Sequence, residues 1–394
     1  MKILYITSSW FLDGDFPLIK QLIKNGIDIK LCIKVYTHSL NSTVLELEKA
    51  YQKIGIFDSS IYGSSIDRFK QYLGIDNIYI MNHTHGDNSW RNIIIENEEL
   101  RLIKRYKPDI IHYIGWPSIY EIPILLRYGK KIITTVHDPV PHEITKKAMV
   151  NQKIRRLAYK SINRFILLNN NQTEEFQSFY NVKKKKILFS RLGNFDIIKA
   201  FGSKSNTNTY NILFFGRISP YKGVEYLLKA YSSLMKDYPN TKLIVAGGGN
   251  YHFDISIYMN NPQIEIINEY ISTDKLSTLI QDSEFIVCPY ISATQSGVVA
   301  SALALNKPVI ATKVGGIPEM ITDGKTGLLI EPKNVDSLKS AIKSFLDNPN
   351  LVKFMSNNIK QLAIDGPNAW SKIVLDYIKL YKDFLKNEKG NSIW

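Results

Sequence analysis

Gly216-Arg217-Ile218-Ser219-Pro220-Tyr221-Lys222-Gly223 follows the apolar run Ile212–Phe215. It precedes a segment in which Val224, Leu227, Leu228, Tyr231, Leu234 and Met235 recur at helical spacing. The stretch therefore joins a strand to a helix. Its two cations stand beside a helix N-terminus, whose free N–H groups also carry positive partial charge, and together they make a receptor for a diphosphate. The alternative is a solvated turn with two ordinary surface cations, because helix starts of this composition are common.

Outward from this stretch, strand-like runs alternate with helical patterns almost throughout. Ile3–Thr7, Ile29–Val35, Ile110–Tyr113, Ile132–Val136 and Phe165–Leu168 form one series. Ile212–Phe215, Leu243–Ala246, Ile264–Ile267, Phe285–Cys288, Val309–Ala311 and Leu328–Ile330 form a second. Such alternation predicts α/β architecture with parallel sheets, and 394 residues exceed the usual size of one core. The polar, small-residue stretch 193–210 divides the two series. The expected organisation is a first domain over 1–192, a linker over 193–210, a second domain over 211–368 and a terminal helix over 369–388.

The composition, 44% apolar and 22% charged, is that of a globular protein. No apolar run reaches the ~20 residues needed to span a bilayer, and Met1–Thr7 reads as a first strand. Cys32 and Cys288 lie inside apolar runs and read as buried thiols, which points to a cytoplasmic location. Fifty Lys and Arg against thirty-six Asp and Glu leave a net charge of +14. This excess suits nucleic acid, an anionic membrane face or anionic small molecules. The basic residues are spread along the chain, with two local concentrations. Lys183–Lys186 reads as a turn before a strand. Residues 146–164 carry Lys146, Lys147, Lys153, Arg155, Arg156, Lys160 and Arg164 interleaved with Met149, Ile154, Leu157, Ala158 and Tyr159. That pattern fits a basic amphipathic helix on an anionic bilayer, or a surface helix with its apolar stripe on the core.

Ligands of open parallel sheets bind beyond the carboxyl ends of strands, so residues just after strands are the candidates. Gly247-Gly248-Gly249 lacks the G-x-G-x-x-G spacing, and Ser8-Ser9-Trp10 follows the first strand, which argues against a nicotinamide cofactor. The loop Pro289-Tyr290-Ile291-Ser292-Ala293-Thr294-Gln295-Ser296-Gly297 opens a helix and offers backbone donors to phosphate. Lys307-Pro308-Val309, Gly315-Gly316-Ile317-Pro318-Glu319 and Gly327-Leu328-Leu329 complete the series, with turn geometry alone as the rival explanation of their glycines.

Taken together, and in register over roughly 210–335, these motifs resemble the group 1 (family 4) retaining glycosyltransferases. The resemblance implies a GT-B fold: two Rossmann-like doubly wound domains facing across a cleft, the second holding a nucleotide-sugar donor. It implies that Arg217 and Lys222 hold the donor diphosphate and the leaving phosphate, and that no metal or other cofactor is needed. Two glutamates usual in the family fall at Ala293 and Ser301 here, and the loop resembles a subgroup with Thr-Gln-Ser-Gly. Gln295, Ser296, Gly297 and Val298 are then expected at phosphate and sugar, with Ser301 toward the ribose. In the first domain the resemblance puts His137 on the transferred sugar with Asp138 orienting it, the rival being a histidine that merely caps a strand. Gly14 and Glu319 are further candidates, although Asp13 and Asp15 around Gly14 would repel phosphate. Trp10, Phe11, Phe16 and Trp116 stack on an acceptor sugar or belong to the core. The helix 370–386 crosses back onto the first domain or docks on the second.

The function implied is transfer, with retention, from a UDP- or GDP-sugar to a glycan or lipid-linked acceptor in bacterial surface polysaccharide synthesis. It would take place in the cytoplasm or at the inner membrane face, and nucleic acid is not the expected partner. A GT-B nucleotide-sugar epimerase, a phosphorylase, and a basic membrane- or nucleic-acid-binding relative without turnover are the alternatives.

Overall fold

The computed structural model describes residues 1–86, 89–115, 118–137, 146–205 and 210–390. It resolves into two compact units, Met1–Arg191 with Ser371–Trp394, and Leu192–Trp370.

In unit 1 the chain runs β1 (Lys2–Ser8), α1 (Leu12–Lys24), β2 (Asp28–Tyr36), the short hairpin β3 (Asn41–Ser42) and β4 (Leu45–Glu46), β5 (Gly55–Asp58), α2 (Ser64–Leu73) and β6 (Ile78–His83). It continues through α3 (Ile93–Tyr106), β7 (Ile110–Ile114), α4 (Ile122–Tyr128), β8 (Ile132–Val136), α5 (Lys146–Ser161), β9 (Arg164–Leu167), α6 (Thr173–Tyr180) and β10 (Ile187–Phe189). Eight strands lie in the order β10-β9-β8-β7-β1-β2-β6-β5, with only β5 antiparallel to its neighbour. β1 is buried from Ile3 to Ser8 and reads as an apolar run, as expected of a parallel strand covered on both faces.

Unit 2 contains β11 (Tyr210–Phe215), α7 (Val224–Ser232), β12 (Thr241–Ala246), α8 (Ser256–Met259), β13 (Ile264–Ile267), α9 (Thr273–Asp282) and β14 (Ser283–Cys288). Then come α10 (Gly297–Ala304), β15 (Val309–Thr312), α11 (Ile317–Met320), β16 (Gly327–Ile330), α12 (Val335–Asp347) and α13 (Pro349–Asp365). Its six strands are all parallel, in the order β13-β12-β11-β14-β15-β16. The order reverses between β11 and β14, so the loops after these two strands border the topological switch point.

The stretch from 193 onward, read from sequence as a linker, begins unit 2. Phe195, Ile197, Ile198 and Phe201 are buried there, and Ser277 Oγ donates to the carbonyls of Ile198 and Phe201 at 3.0 and 2.7 Å. The final helix, α14 (Trp370–Gly390), groups with unit 1 from Ser371. Cys32 and Cys288 are fully buried free thiols. Among the described residues no helix is long and apolar enough to cross a membrane.

Candidate functional site

In unit 2, the 216–223 loop is built against its neighbours. Gly216 N–H donates to the Ala246 carbonyl at 3.0 Å and Ile218 N–H to the Gly248 carbonyl at 3.0 Å. A Cβ on Gly247 would fall 2.1 Å from the Gly216 oxygen, and one on Gly249 2.2 Å from that of Ile218. These glycines stand where two backbones touch. Gly223 closes the loop at φ +66°, where a Cβ would stand 2.0 Å from the Pro289 carbonyl oxygen. Ile291 N–H donates to the Tyr221 carbonyl at 2.7 Å. The loops on both sides of the switch point are thereby locked together.

Within this frame Arg217 is exposed and Lys222 half-buried. The Lys222 ammonium lies 3.8 Å from the centre of the buried Tyr290 ring and 5.2 Å from that of Tyr221. Burial, followed by repulsion from Arg217, lowers its pKa to about 8. An anion brought beside it would relieve both penalties.

Ser296 caps α10, its Oγ accepting from Val299 N–H at 3.2 Å. The Gly297 and Val298 amides lie ahead of the first intrahelical bond and meet no acceptor among the described residues. Phe195 packs beside them, with a Cβ on Gly297 falling 2.9 Å from its ring, and its N–H donates to Ala300 O at 3.2 Å. The loop before α10 is held by the β15–α11 turn: Gly316 N–H donates to Thr294 O at 2.9 Å, and a Cβ on Gly315 would stand 1.6 Å from Ala293 O. Gln295 is half-buried, while Val298 and Ser301 are buried along α10. The structure thus brings the 216–223 loop, the 289–297 loop and the start of α10 together. Glu319, exposed on α11, lines a different hollow with Thr322, Thr326 and Asn368.

In unit 1, His137 ends β8 half-buried, its ring stacked on Phe11 with centroids 4.5 Å apart at 20°. Phe16 is core, packed on Phe69 at 5.0 Å, whereas Trp10 is 46% exposed. Asp138, Trp116 and the side chains of Lys146, Lys147, Met149 and Ile154 lie outside the described residues. Gly14 sits buried in the first turn of α1. Of the two acids beside it, Asp13 is half-buried and Asp15 buried. Asp15 points into the interior, accepts from the Thr7 hydroxyl and from Tyr5 Oη at 3.2 Å, and burial raises its pKa to about 8. Burial likewise raises Asp13 to about 7.

Two polar clusters escaped the sequence reading. His112 is fully buried, with Nδ1 2.5 Å from Tyr381 Oη and Nε2 2.8 Å from Thr135 Oγ1, and burial lowers its pKa to about 3. At the carboxyl ends of β2 and β7, Lys34 pairs with Glu121 and contacts the Tyr113 ring, while Tyr113 donates to Glu99. Glu96, Glu99 and Glu121 bring carboxylate oxygens within 4.8 Å of one another. Among the described residues this is the set closest to a metal site, and the Lys34 ammonium already supplies its counter-charge. Burial raises Glu96 to about 10 and Glu99 to about 7. The helical phase was the available signal: Glu96 and Glu99 share a face with Ile95, Leu102 and Ile103.

With this geometry established, comparison with known proteins is direct. The family model for group 1 glycosyl transferases matches residues 196–362, and that for Glycosyltransferase Family 4 matches residues 18–189. An uncharacterized glycosyltransferase of Methanocaldococcus jannaschii is 32% identical over 327 residues, covering 76% of this chain and 88% of that one. A glycosyltransferase of Rickettsia africae superimposes with a TM-score of 0.68 at 18% identity, over 98% and 99% of the two chains. The HepE protein of Anabaena in complex with UDP gives 0.65 at 14% identity, over 97% and 100%. The chain belongs to the group 1 glycosyltransferases and has the GT-B fold, two Rossmann-like domains. It is a glycosyltransferase enzyme.

Proposed function

We propose that the chain transfers a sugar, with retention, from a UDP- or GDP-sugar to a glycan or lipid-linked acceptor in bacterial surface polysaccharide synthesis, on the cytoplasmic side of the membrane. The observation that carries the donor reading is the locked pair of loops at the β11/β14 switch point. One of these loops carries Arg217 and Lys222 and the other leads into the open amides of Gly297 and Val298, an arrangement that supports a diphosphate site. That HepE was solved with UDP supports the same reading.

Departure of the nucleotide leaves negative charge on the β-phosphate. Arg217 and Lys222 are fixed cations that favour that charge more than the ground state, which lowers the barrier. Gln295 and Ser296 contact phosphate and sugar, Ser301 reaches toward the ribose, and His137 faces the transferred sugar. The acceptor hydroxyl attacks from the face the nucleotide leaves, and the departing phosphate takes its proton. No metal or other cofactor enters this scheme.

Titration calorimetry with UDP and GDP tests it. Removing a charge-assisted contact costs about 1.5–3 kcal/mol, so Arg217→Ala is expected to weaken binding roughly 10- to 150-fold. No binding by the wild type, or unchanged binding in the variant, refutes the donor site. Release of free or isomerised sugar without an acceptor would favour an epimerase.

A further inference from the structure

Between Arg127 and Arg191 the chain carries fifteen Lys and Arg against four Asp and Glu, so this sixth of the sequence holds +11 of the net +14. The fold of unit 1 gathers several of these cations along α5 and at the amino ends of β8, β9 and β10. Along α5, Lys153, Arg156, Leu157 and Lys160 are exposed at i, i+3, i+4, i+7 spacing, while Ala158 and Tyr159 are buried. α4 packs beside it and exposes Leu126 and Arg127. Because β8, β9 and β10 are neighbours, the turns entering them stand side by side, bringing Lys130 and Lys131, Arg164, and Lys184–Lys186 together at the strands' amino ends. The joints are explicit: Asn163 Nδ2 donates to Lys130 O at 3.0 Å, and Lys186 Nζ to Ile162 O at 2.7 Å. The cations crowd one another, since burial and then Arg164, Lys183 and Lys185 lower the Lys186 pKa. None of Lys130, Lys153, Arg156, Lys160, Lys183, Lys184 and Lys185 pairs with a carboxylate among the described residues.

We propose that this surface docks unit 1 on an anionic lipid bilayer. Charge complementarity selects an anionic partner. Leu126, 65% exposed, and Leu157, 49% exposed, set among the cations, select lipid over nucleic acid. A nucleic-acid surface would present stacking rings, and the described residues of α4, α5 and these turns expose no large aromatic side chain. The docking face lies along α5 and at the amino ends of the strands, while His137 and Phe11 lie at the carboxyl ends and stay clear of lipid. The inference deepens the proposed function by naming the surface on which a lipid-linked acceptor would be met, and its test needs no nucleotide.

Co-sedimentation of the full chain with phosphatidylcholine vesicles, alone or with about one-third phosphatidylglycerol, decides it. Binding is expected only to the anionic vesicles and is expected to weaken with salt. At about fivefold per cation removed, Lys153→Glu/Lys160→Glu/Lys185→Glu should lower the partition coefficient at least ~100-fold with an unchanged Tm. Leu126→Ala/Leu157→Ala should lower it several-fold. Absence of wild-type binding, equal binding to neutral vesicles, an unaffected triple variant, or tighter binding to single-stranded RNA than to anionic vesicles each overturns the proposal. Because nucleotide calorimetry reports on unit 2 separately, failure of one reading leaves the other standing.

Discussion

Replacing Gly223 by alanine separates backbone conformation from close approach, because Gly324 provides an internal control. Both glycines lie in unit 2, at φ +66° and +72°. The left-handed conformation alone costs a non-glycine residue ~1–2 kcal/mol, the same at both sites. Around Gly324 a Cβ meets nothing within 4 Å, whereas at Gly223 it falls 2.0 Å from the Pro289 oxygen. That contact must open by roughly 1 Å, which strains the packing by about 1–3 kcal/mol. The Ile291–Tyr221 backbone hydrogen bond, worth ~1 kcal/mol, stretches with it. The excess at Gly223 is therefore about 2–4 kcal/mol, or roughly 4–16 °C in the Tm of a unit this size. Scanning calorimetry of the two variants reads this difference directly. Nucleotide affinity should also fall in Gly223→Ala alone, because Lys222 moves from the Tyr290 ring. Equal Tm values for the two variants would refute the locked-loop description.

Three further outcomes follow from the buried charges. Glu96, Glu99, Asp13 and Asp15 all have folded pKa values raised by burial, to between about 7 and about 10. Their contribution to stability is complete below their unfolded values near 4 and is lost as pH rises through the folded ones. The Tm of unit 1 should thus fall between pH 5 and 9, and Glu96→Gln should flatten that fall; a Tm rising over this range would contradict the burial. Lys222, lowered to about 8, loses its charge as pH passes that value in the free protein. Nucleotide affinity should decline from pH 7 to 9, and Lys222→Met should bind weakly with a flatter profile, both read by calorimetry. Tyr381→Phe strands His112 Nδ1 in the interior, so urea titration should show a loss of about 1–3 kcal/mol.

The donor-side loops were legible because each element of the motif series also has a local backbone reason. The strand–loop–helix transition at Phe215–Val224 is written in side-chain periodicity, and Gly223 and Gly315 mark real backbone contacts. β5 and the β3–β4 hairpin were not legible, since Gly55–Asp58 and the two-residue hairpin strands are too short for a period to register, whereas β10 was signalled only by the lysine turn before it. The units divide at Arg191/Leu192, beside the expected boundary, but the linker reading missed that the Ser- and Asn-rich surface follows a segment anchored by Phe195 and Ile198, whose burial depends on α9 and α10. Asp15 was misjudged for a related reason. Its partners Tyr5 and Thr7 are near in sequence, but the side on which α1 presents it depends on the packing of the helix.

Unit 1 is discontinuous, and that has a consequence for its biosynthesis. Tyr377 and Tyr381 of α14 are buried in unit 1, where Tyr381 completes the partners of His112. A ribosome finishing Arg191 must still make all of Leu192–Trp370 before α14 exists. At ~5–20 residues per second that delay lasts roughly 10–35 s. Throughout it the nascent N-terminal sheet lacks the helix that packs on Tyr5 and His112, and unit 2 is complete before that helix is made. The second half of the polypeptide thus matures first, and the first half is sealed last.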